Sequence, residues 1–247
     1  MEIELKFNIP SGTVAAQIWD NELFRKSEEE GSREELYMDA KYFDTENCDL
    51  AKNDIAYRVR KEGDRHVAAL KWKGHSEDGL HVREEINVPV DSDFPNPSVF
   101  RESNVGSQVM ELIEGKELHC FLETTVNRKM FRIDTGTGIF EISIDSGEIA
   151  TKYGTSPIEE VEVELFAGET EELVSIGNML QEKYNLTPEN ESKYARGIRM
   201  RRETRSTGSC DAGLFFMPDF MAETLEKQRQ RRYNYLHYVL KTEEEIY

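Results

Sequence analysis

Cysteine is scarce in this sequence, and so are long apolar runs and positive charge in excess; each shortage removes a class of protein. The three cysteines, Cys48, Cys120 and Cys210, are odd in number and far apart. They fit neither a disulfide framework nor a zinc site, which points to a reducing, cytoplasmic setting. No apolar stretch reaches the roughly 18 residues of a membrane-spanning helix. No basic-then-apolar leader pattern is present, so neither insertion nor export is expected. Lysine and arginine number 31 against 49 acidic residues, a formal net charge of −18, which argues against nonspecific binding to nucleic acid or an anionic membrane. Apolar residues supply only 38% of the chain and charged ones 32%, respectively low and high for a globular protein. Disorder would account for those figures, but aromatic residues make up 10% and β-branched runs are frequent. A barrel with a charged lumen accounts for them better, because its inner face takes no apolar residues.

The 247 residues suit one large domain, or one domain with an appendage. A strand over 2–9 ends at Pro10, and Ser11 caps a helix reaching about residue 27, with Ala15, Trp19 and Leu23 at i, i+4 spacing. Strands follow over about 34–44, 55–62, 65–73 and 79–90, with a tight hairpin at Gly63-Asp64 and a longer one from Gly74 to Gly79. After a proline-punctuated loop comes a helix to about Glu114. A second strand-rich block covers 117–134, 138–146 and 156–167, with turns at Thr135-Gly136 and Ser146-Gly147. Helices are expected at about 169–184 and 192–202. Residues 204–247 read as a linker and a final helix packed on the 1–203 domain or on a second subunit, giving a monomer or a homodimer. Short links between about eight strands favour antiparallel pairing, so the fold class is α+β with a closed or nearly closed barrel. The strands carrying Glu2/Glu4 and Glu160/Glu162/Glu164 are each followed by a helix, a hint of two-fold pseudo-symmetry.

Charge recurs at strand spacing. Glu2, Glu4 and Lys6 alternate with Ile3, Leu5 and Phe7. Arg58 and Arg60, Lys71 and Lys73, then Arg83, Glu85 and Asn87 are each two apart, as are Glu141, Ser143 and Asp145, and Glu160, Glu162 and Glu164. Any one of these alone is the wet face of an ordinary strand. Together they describe strands with one apolar face and one face of fixed charge of both signs. If the sheet closes, the charged face lines a lumen in which Arg and Lys neutralise a polyphosphate. Carboxylates two apart on a strand suit Mg²⁺ or Mn²⁺ bridging to phosphate oxygens.

With these strands in hand, the chain resembles the CYTH family, also called triphosphate tunnel metalloenzymes, and is most similar to its bacterial inorganic triphosphatase branch. The segments that carry the resemblance are Glu2-Ile3-Glu4-Leu5-Lys6, Tyr42-Phe43-Asp44-Thr45, Tyr57-Arg58-Val59-Arg60, Leu70-Lys71, and Gly79 through Val88. Phe140 through Gly147, Glu160 through Leu165, and Glu191 through Gly197 continue the set in order. The resemblance implies an eight-stranded antiparallel tunnel that takes a triphosphate-containing small molecule and needs Mg²⁺ or Mn²⁺. It implies metal carboxylates at Glu2, Glu4, Glu162 and Glu164, supported by Asp145 and Glu160. Lys6, Arg58, Arg60, Lys71, Arg83, Arg128 and Lys193 would line the phosphate path, with Glu85 and Arg196 as supporting ion-pair partners. Glu4, Lys6 and Glu164 are the candidate catalytic groups. Two positions depart from the family pattern: Ala69 replaces a usual Thr, and Met130 a frequent second cation.

The expected reaction is hydrolysis of inorganic triphosphate to diphosphate and phosphate. An adenylate cyclase on the same scaffold is the first rival, but nothing in the sequence marks an adenine pocket. Thiamine or nucleoside triphosphatase activity is a nearer neighbour. A non-enzymatic polyphosphate- or nucleotide-binding module ranks lower, because the metal carboxylates are present.

Overall fold

The structure is a computed structural model that describes residues 1–207. The expected final helix and most of the expected linker lie outside the described residues. The elements in chain order are β1 (Glu2–Asn8), α1 (Gly12–Trp19), α2 (Glu22–Ser27), β2 (Glu34–Thr45), β3 (Ile55–Glu62), β4 (Arg65–Glu77), β5 (Leu80–Val90), α3 (Asn104–Leu112), β6 (Leu118–Asp134), β7 (Ile139–Thr151), β8 (Gly154–Ala167), α4 (Thr170–Tyr184), β9 (Thr187–Pro188) and α5 (Lys193–Thr207).

The strands run β5-β4-β3-β2-β6-β7-β8-β1, and β1 pairs back onto β5, so eight antiparallel strands close into a barrel. The two-residue β9 adds to β1. Closure explains the odd charge pattern. In β1 the charged Glu4 and Lys6 are as buried as the apolar Leu5 and Phe7, because one face meets the lumen and the other the outer core.

Two apolar layers coat the outside. Ile3, Leu5 and Phe7 pack with Phe131, Phe140, Ile142, Val161 and Val163 against Ile18 of α1, Phe24 of α2, and Leu173 and Leu180 of α4. Phe43, Tyr57, Val59 and Leu70 pack against Val105 and Val109 of α3. A third cluster, with Tyr42, Leu122, Ile149 and Ile158 against Tyr194 and Met200, joins α5 to inner-face residues.

The antiparallel order puts the end of β2 and the starts of β3, β6 and β8 on one rim, and α5 lies across that rim. The Tyr194 hydroxyl donates to the Ile55 carbonyl at 3.4 Å, Arg196 to the Pro157 carbonyl at 3.4 Å, and Arg201 to the Glu46 carbonyl at 2.9 Å. Gly197 is pressed on Leu122, whose Cδ2 would lie 2.8 Å from an added Cβ. The tunnel is therefore capped at this end by α5, and its opposite rim lies at the starts of β1, β2 and β7 and the ends of β6 and β8.

Several expected boundaries move. The helix expected from Ser11 to residue 27 breaks in two, because the Asn21 side chain accepts from Leu23 N at 3.1 Å and caps a new helix. Phe24 is then buried and Leu23 exposed. The hairpin expected from Gly74 to Gly79 is a two-residue turn, Asp78-Gly79, with φ of 49° and 81°, the conformation that suits a tight hairpin. Ser146-Gly147 is no turn: β7 runs through it to Thr151. Gly147 is there for close strand approach, since a Cβ would sit 2.0 Å from the Thr125 carbonyl oxygen. The helix expected at 192–202 continues to Thr207. No helix among the described residues is long and apolar enough to cross a membrane.

Candidate active site

Register brings the expected site residues onto the inner face. Glu2 pairs with Arg83, Glu4 with Glu164, and Lys6 with Glu162. Lys71 pairs with Glu85, and Arg128 with Asp145, which in turn faces Glu160. Arg58 and Arg60 face Tyr42 and Ala40. Lys193 and Arg196 enter from α5.

Near the capped end the charges are fully compensated. Asp145, Glu160 and Glu162 gather within 4.8 Å of one another. Arg128 grips Asp145 with two bonds of 2.7 Å and reaches Glu162 at 2.5 Å. Lys193 lies 2.8 Å from Asp145 and 3.0 Å from Glu162, and also pairs with Glu160. Arg196 meets Glu160 at 3.0 Å, and Lys6 meets Glu162 at 3.0 Å. Burial would push the Glu162 carboxyl up, but Lys193, Lys6 and Arg128 together hold it well below the usual range. This carboxylate cluster has the spacing to hold a metal ion, yet its charge is already met by side chains.

Toward the opposite rim compensation holds for Glu2, Glu4 and Glu85 and fails at Glu164. Arg83 bridges Glu2 at 3.1 Å and Glu4 at 2.7 Å, and Lys71 joins Glu2 at 2.9 Å to Glu85 at 2.8 Å. Glu164 has no hydrogen-bond or ion-pair partner among the described residues. Burial first, and then the nearby Glu2, Glu4 and Glu141 carboxylates, push its carboxyl up to about 8. A carboxyl so disposed is short of one cation.

The cations are short of anions on the opposite wall. Arg58 reaches Glu85 only at 3.7 Å, and Arg60 pairs with Glu62. The Nε atoms of both are buried without a partner among the described residues. Burial and the neighbouring Arg58 lower Arg60 to about 10 despite Glu62. Tyr42, stacked 5.7 Å from Tyr194, faces these groups. Burial would raise its phenol, but Arg58, Lys193 and Lys71 bring it below its ordinary value. Tyr42 and Glu141 were not among the expected site residues. The signals were available, since Tyr42 shares the face of Ala40 opposite the arginine strand, and Glu141 leads the Glu141/Ser143/Asp145 alternation.

These features define a closed antiparallel barrel, capped at one end, whose lumen holds charges of both signs in register. The chain belongs to the CYTH domain family, whose model matches residues 1–198. It is 27% identical over 163 residues to an inorganic triphosphatase of Haemophilus influenzae. That match takes in 66% of this chain and 45% of the relative, so the chain spans about half the length of the curated relative. Among solved structures it is similar to a Hippeastrum protein, an adenylyl cyclase candidate with a dominant triphosphatase activity. The TM-score is 0.62 at 22% identity, covering 81% of this chain and 96% of the other. A Bacillus halodurans adenylate cyclase candidate gives a TM-score of 0.50 at 19% identity over 79% of this chain and 96% of that one. At these identities the two structures speak for the fold.

Proposed function

We propose that the protein hydrolyses inorganic triphosphate to diphosphate and phosphate in the lumen. The observation that carries this reading is the split in the charge pattern: an uncompensated carboxylate beside Glu2 and Glu4, facing two guanidiniums whose Nε donors are without partners among the described residues. The reported likeness to an inorganic triphosphatase supports the same reading.

Glu2, Glu4 and Glu164, with Glu141 beside them, fit Mg²⁺ or Mn²⁺: all are hard oxygen donors, and Glu164 has no cationic partner among the described residues. Asp145, Glu160 and Glu162 have the closer spacing but are neutralised by Lys193, Arg128 and Arg196, so they orient those cations. A divalent cation bound there would neutralise phosphoryl oxygens and acidify water. Lys6, Arg58, Arg60, Lys71, Arg83, Arg128 and Lys193 bind and orient the phosphates and offset the charge of the transferring group. Glu85 and Arg196 fix Lys71 and Glu160 through ion pairs. A carboxylate, Glu4 or Glu164, accepts the proton of the attacking water. Residues 1–203 serve as the catalytic unit. The chain's setting in this reading is the cytoplasm.

Phosphate release from inorganic triphosphate with Mg²⁺ or Mn²⁺ tests the reading. Glu4→Gln and Glu164→Gln are each expected to lower turnover by orders of magnitude while circular dichroism stays unchanged. Wild-type turnover in both variants would sink the assignment.

A further inference from the structure

His81 is a buried titratable side chain on the lumen face that the chemistry above does not use. It pairs across the ladder with Glu4 and lies two residues before Arg83, so the three share the inner face. Only 2% of it is exposed. Its Nε2 lies 2.7 Å from the Glu189 carbonyl oxygen, and its Nδ1 lies 2.7 Å from the Ser76 hydroxyl. A carbonyl only accepts, so Nε2 carries the hydrogen and the Ser76 hydroxyl donates to Nδ1. One neutral tautomer satisfies both ends. Burial first, and then the Lys6 charge, lower the imidazole to about 4 despite Glu4, so that tautomer persists at neutral pH.

A buried histidine with both nitrogens satisfied is ordinarily a packing residue. His81 differs in what it holds. Glu189 belongs to a short strap, residues 189–192, between β9 and α5. Glu189 N donates to the Lys6 carbonyl at 3.0 Å, Asn8 Nδ2 to the Glu189 carboxylate at 3.1 Å, and Gly79 N to the Asn190 side chain at 2.7 Å. Ser192 then caps α5, its hydroxyl accepting from Ala195 N at 3.1 Å, and the next residue is Lys193. The seat of the strap therefore fixes where α5 begins and how far Lys193 reaches into the lumen. Lys193 is the cation that meets Asp145, Glu160 and Glu162 together. Its withdrawal would leave buried carboxylates short of charge. His81 ties the strap to β5, the strand that also carries Arg83 and Glu85.

We propose that His81 is a positioning residue for Lys193: by donating to the Glu189 carbonyl it holds the start of α5 on the barrel and keeps the Lys193 ammonium in the lumen. The bracing is a property of the fold. Its effect on turnover rests on the triphosphatase reading above, in which Lys193 binds phosphate.

Full-length wild type, His81→Asn and His81→Gln are treated with limiting acetic anhydride, and acetylation of each lysine is followed by peptide mass spectrometry. The same proteins are assayed for cleavage of inorganic triphosphate with Mg²⁺. The Gln side chain places an N–H donor near the Nε2 position, and the shorter Asn does not reach the carbonyl. Acetylation needs Lys193 released from its carboxylates, so its rate reports the population of that local opening. His81→Asn should raise Lys193 acetylation about tenfold, the scale of a buried carbonyl left without its donor. Lys6 and Lys71, in the same lumen, should stay within about twofold of wild type. kcat/KM should fall by about the same tenfold, and His81→Gln should restore both. In a Lys193→Met background His81→Asn should change kcat/KM by less than about twofold, because the two residues act on one step.

A rise shared alike by Lys6, Lys71 and Lys193 would assign His81 a general structural role and overturn the proposal. So would unchanged Lys193 acetylation, a His81→Gln no better than His81→Asn, or full additivity with Lys193→Met. Should His81→Asn fail to fold, Ser76→Ala decides in its place, since it frees the ring by removing an exposed partner. Lys193 acetylation that does not rise in that variant would overturn the proposal. If the wild type cleaves no triphosphate, the triphosphatase reading fails, and acetylation alone upholds or overturns the brace.

Discussion

Glu164 is where the charges of the lumen fail to cancel, and its titration gives that imbalance a sign. Its carboxyl is raised from 4.5 to about 8, so between those values the folded protein holds a proton that the unfolded chain has lost. Stability contributed by that proton is complete below pH 4.5, declines as pH rises, and levels off above about 8. The slope is at most about 1.4 kcal/mol per pH unit, less for the solvent that reaches this partly exposed group. Glu162 is shifted the other way, so its contribution is lost only as pH falls below the usual carboxylate range. Between pH 4 and 6.5 the buried His81, lowered to about 4, acts in the opposite direction. Urea denaturation in chelator should therefore show falling stability from pH 6.5 to 8, and Glu164→Gln should flatten it. An unchanged slope in the variant would remove Glu164 as the source. Tyr42 answers to a different measurement. Its hydroxyl lies among the Arg58, Lys193 and Lys71 charges that lower its pKa against burial, and a hydrogen bond to a charged phosphate contributes about 1.5–3 kcal/mol. Tyr42→Phe keeps the ring against Tyr194 and should lower kcat/KM for triphosphate at least about tenfold, with no loss of melting temperature.

Among the elements, β7 shows most clearly what a sequence conceals. Strand alternation was legible where charged or small inner residues alternate with apolar outer ones, as in Glu2–Phe7, Phe140–Asp145 and Glu160–Leu165. Tyr42 and Leu122 inside, and Asp39 and Lys41 outside, break that rule in β2 and β6. The break at Gly147 was misread, since a glycine after serine has the look of a turn while its use is contact with Thr125 across the ladder. Gly147→Ala should lower stability by about 1–3 kcal/mol through that clash, read as a drop in the urea midpoint with the fold's dichroism retained. A neutral outcome would mean the β6–β7 pair parts more easily than its register implies. Helix boundaries failed for a related reason: the Ala15/Trp19 period predicts burial of Leu23, but Asn21 caps a fresh helix and turns Phe24 inward instead. The candidate site divides in the same way. Residues on regular strands were found from spacing or by resemblance, but the shortage of a cation at Glu164 depends on cross-strand register, which one strand's sequence does not display.

Over the described residues the charges are sorted: the lumen is close to neutral, and their acidic excess lies outside it. Lys6, Arg58, Arg60, Lys71, Arg83, Arg128, Lys193 and Arg196 are matched almost one for one by Glu2, Glu4, Glu85, Glu141, Asp145, Glu160, Glu162 and Glu164, most of them in direct ion pairs. A triphosphate entering such a lumen brings several negative charges into a space already balanced, and breaking the existing pairs would strand buried carboxylates. Added divalent charge is what lets the polyanion enter with the pairs kept, so metal and triphosphate should bind with positive coupling. Thermal melts can read this directly. Triphosphate alone should shift the melting temperature little, and Mg²⁺ or Mn²⁺ alone modestly, by relieving Glu164. Together, near a hundred times the dissociation constant, they should add about 2.7 kcal/mol, or about 5–10 °C for a chain of this size. A shift with triphosphate in chelator as large as with metal would show that the lumen opens its own ion pairs to take the polyanion, and that the metal serves the chemistry without serving entry.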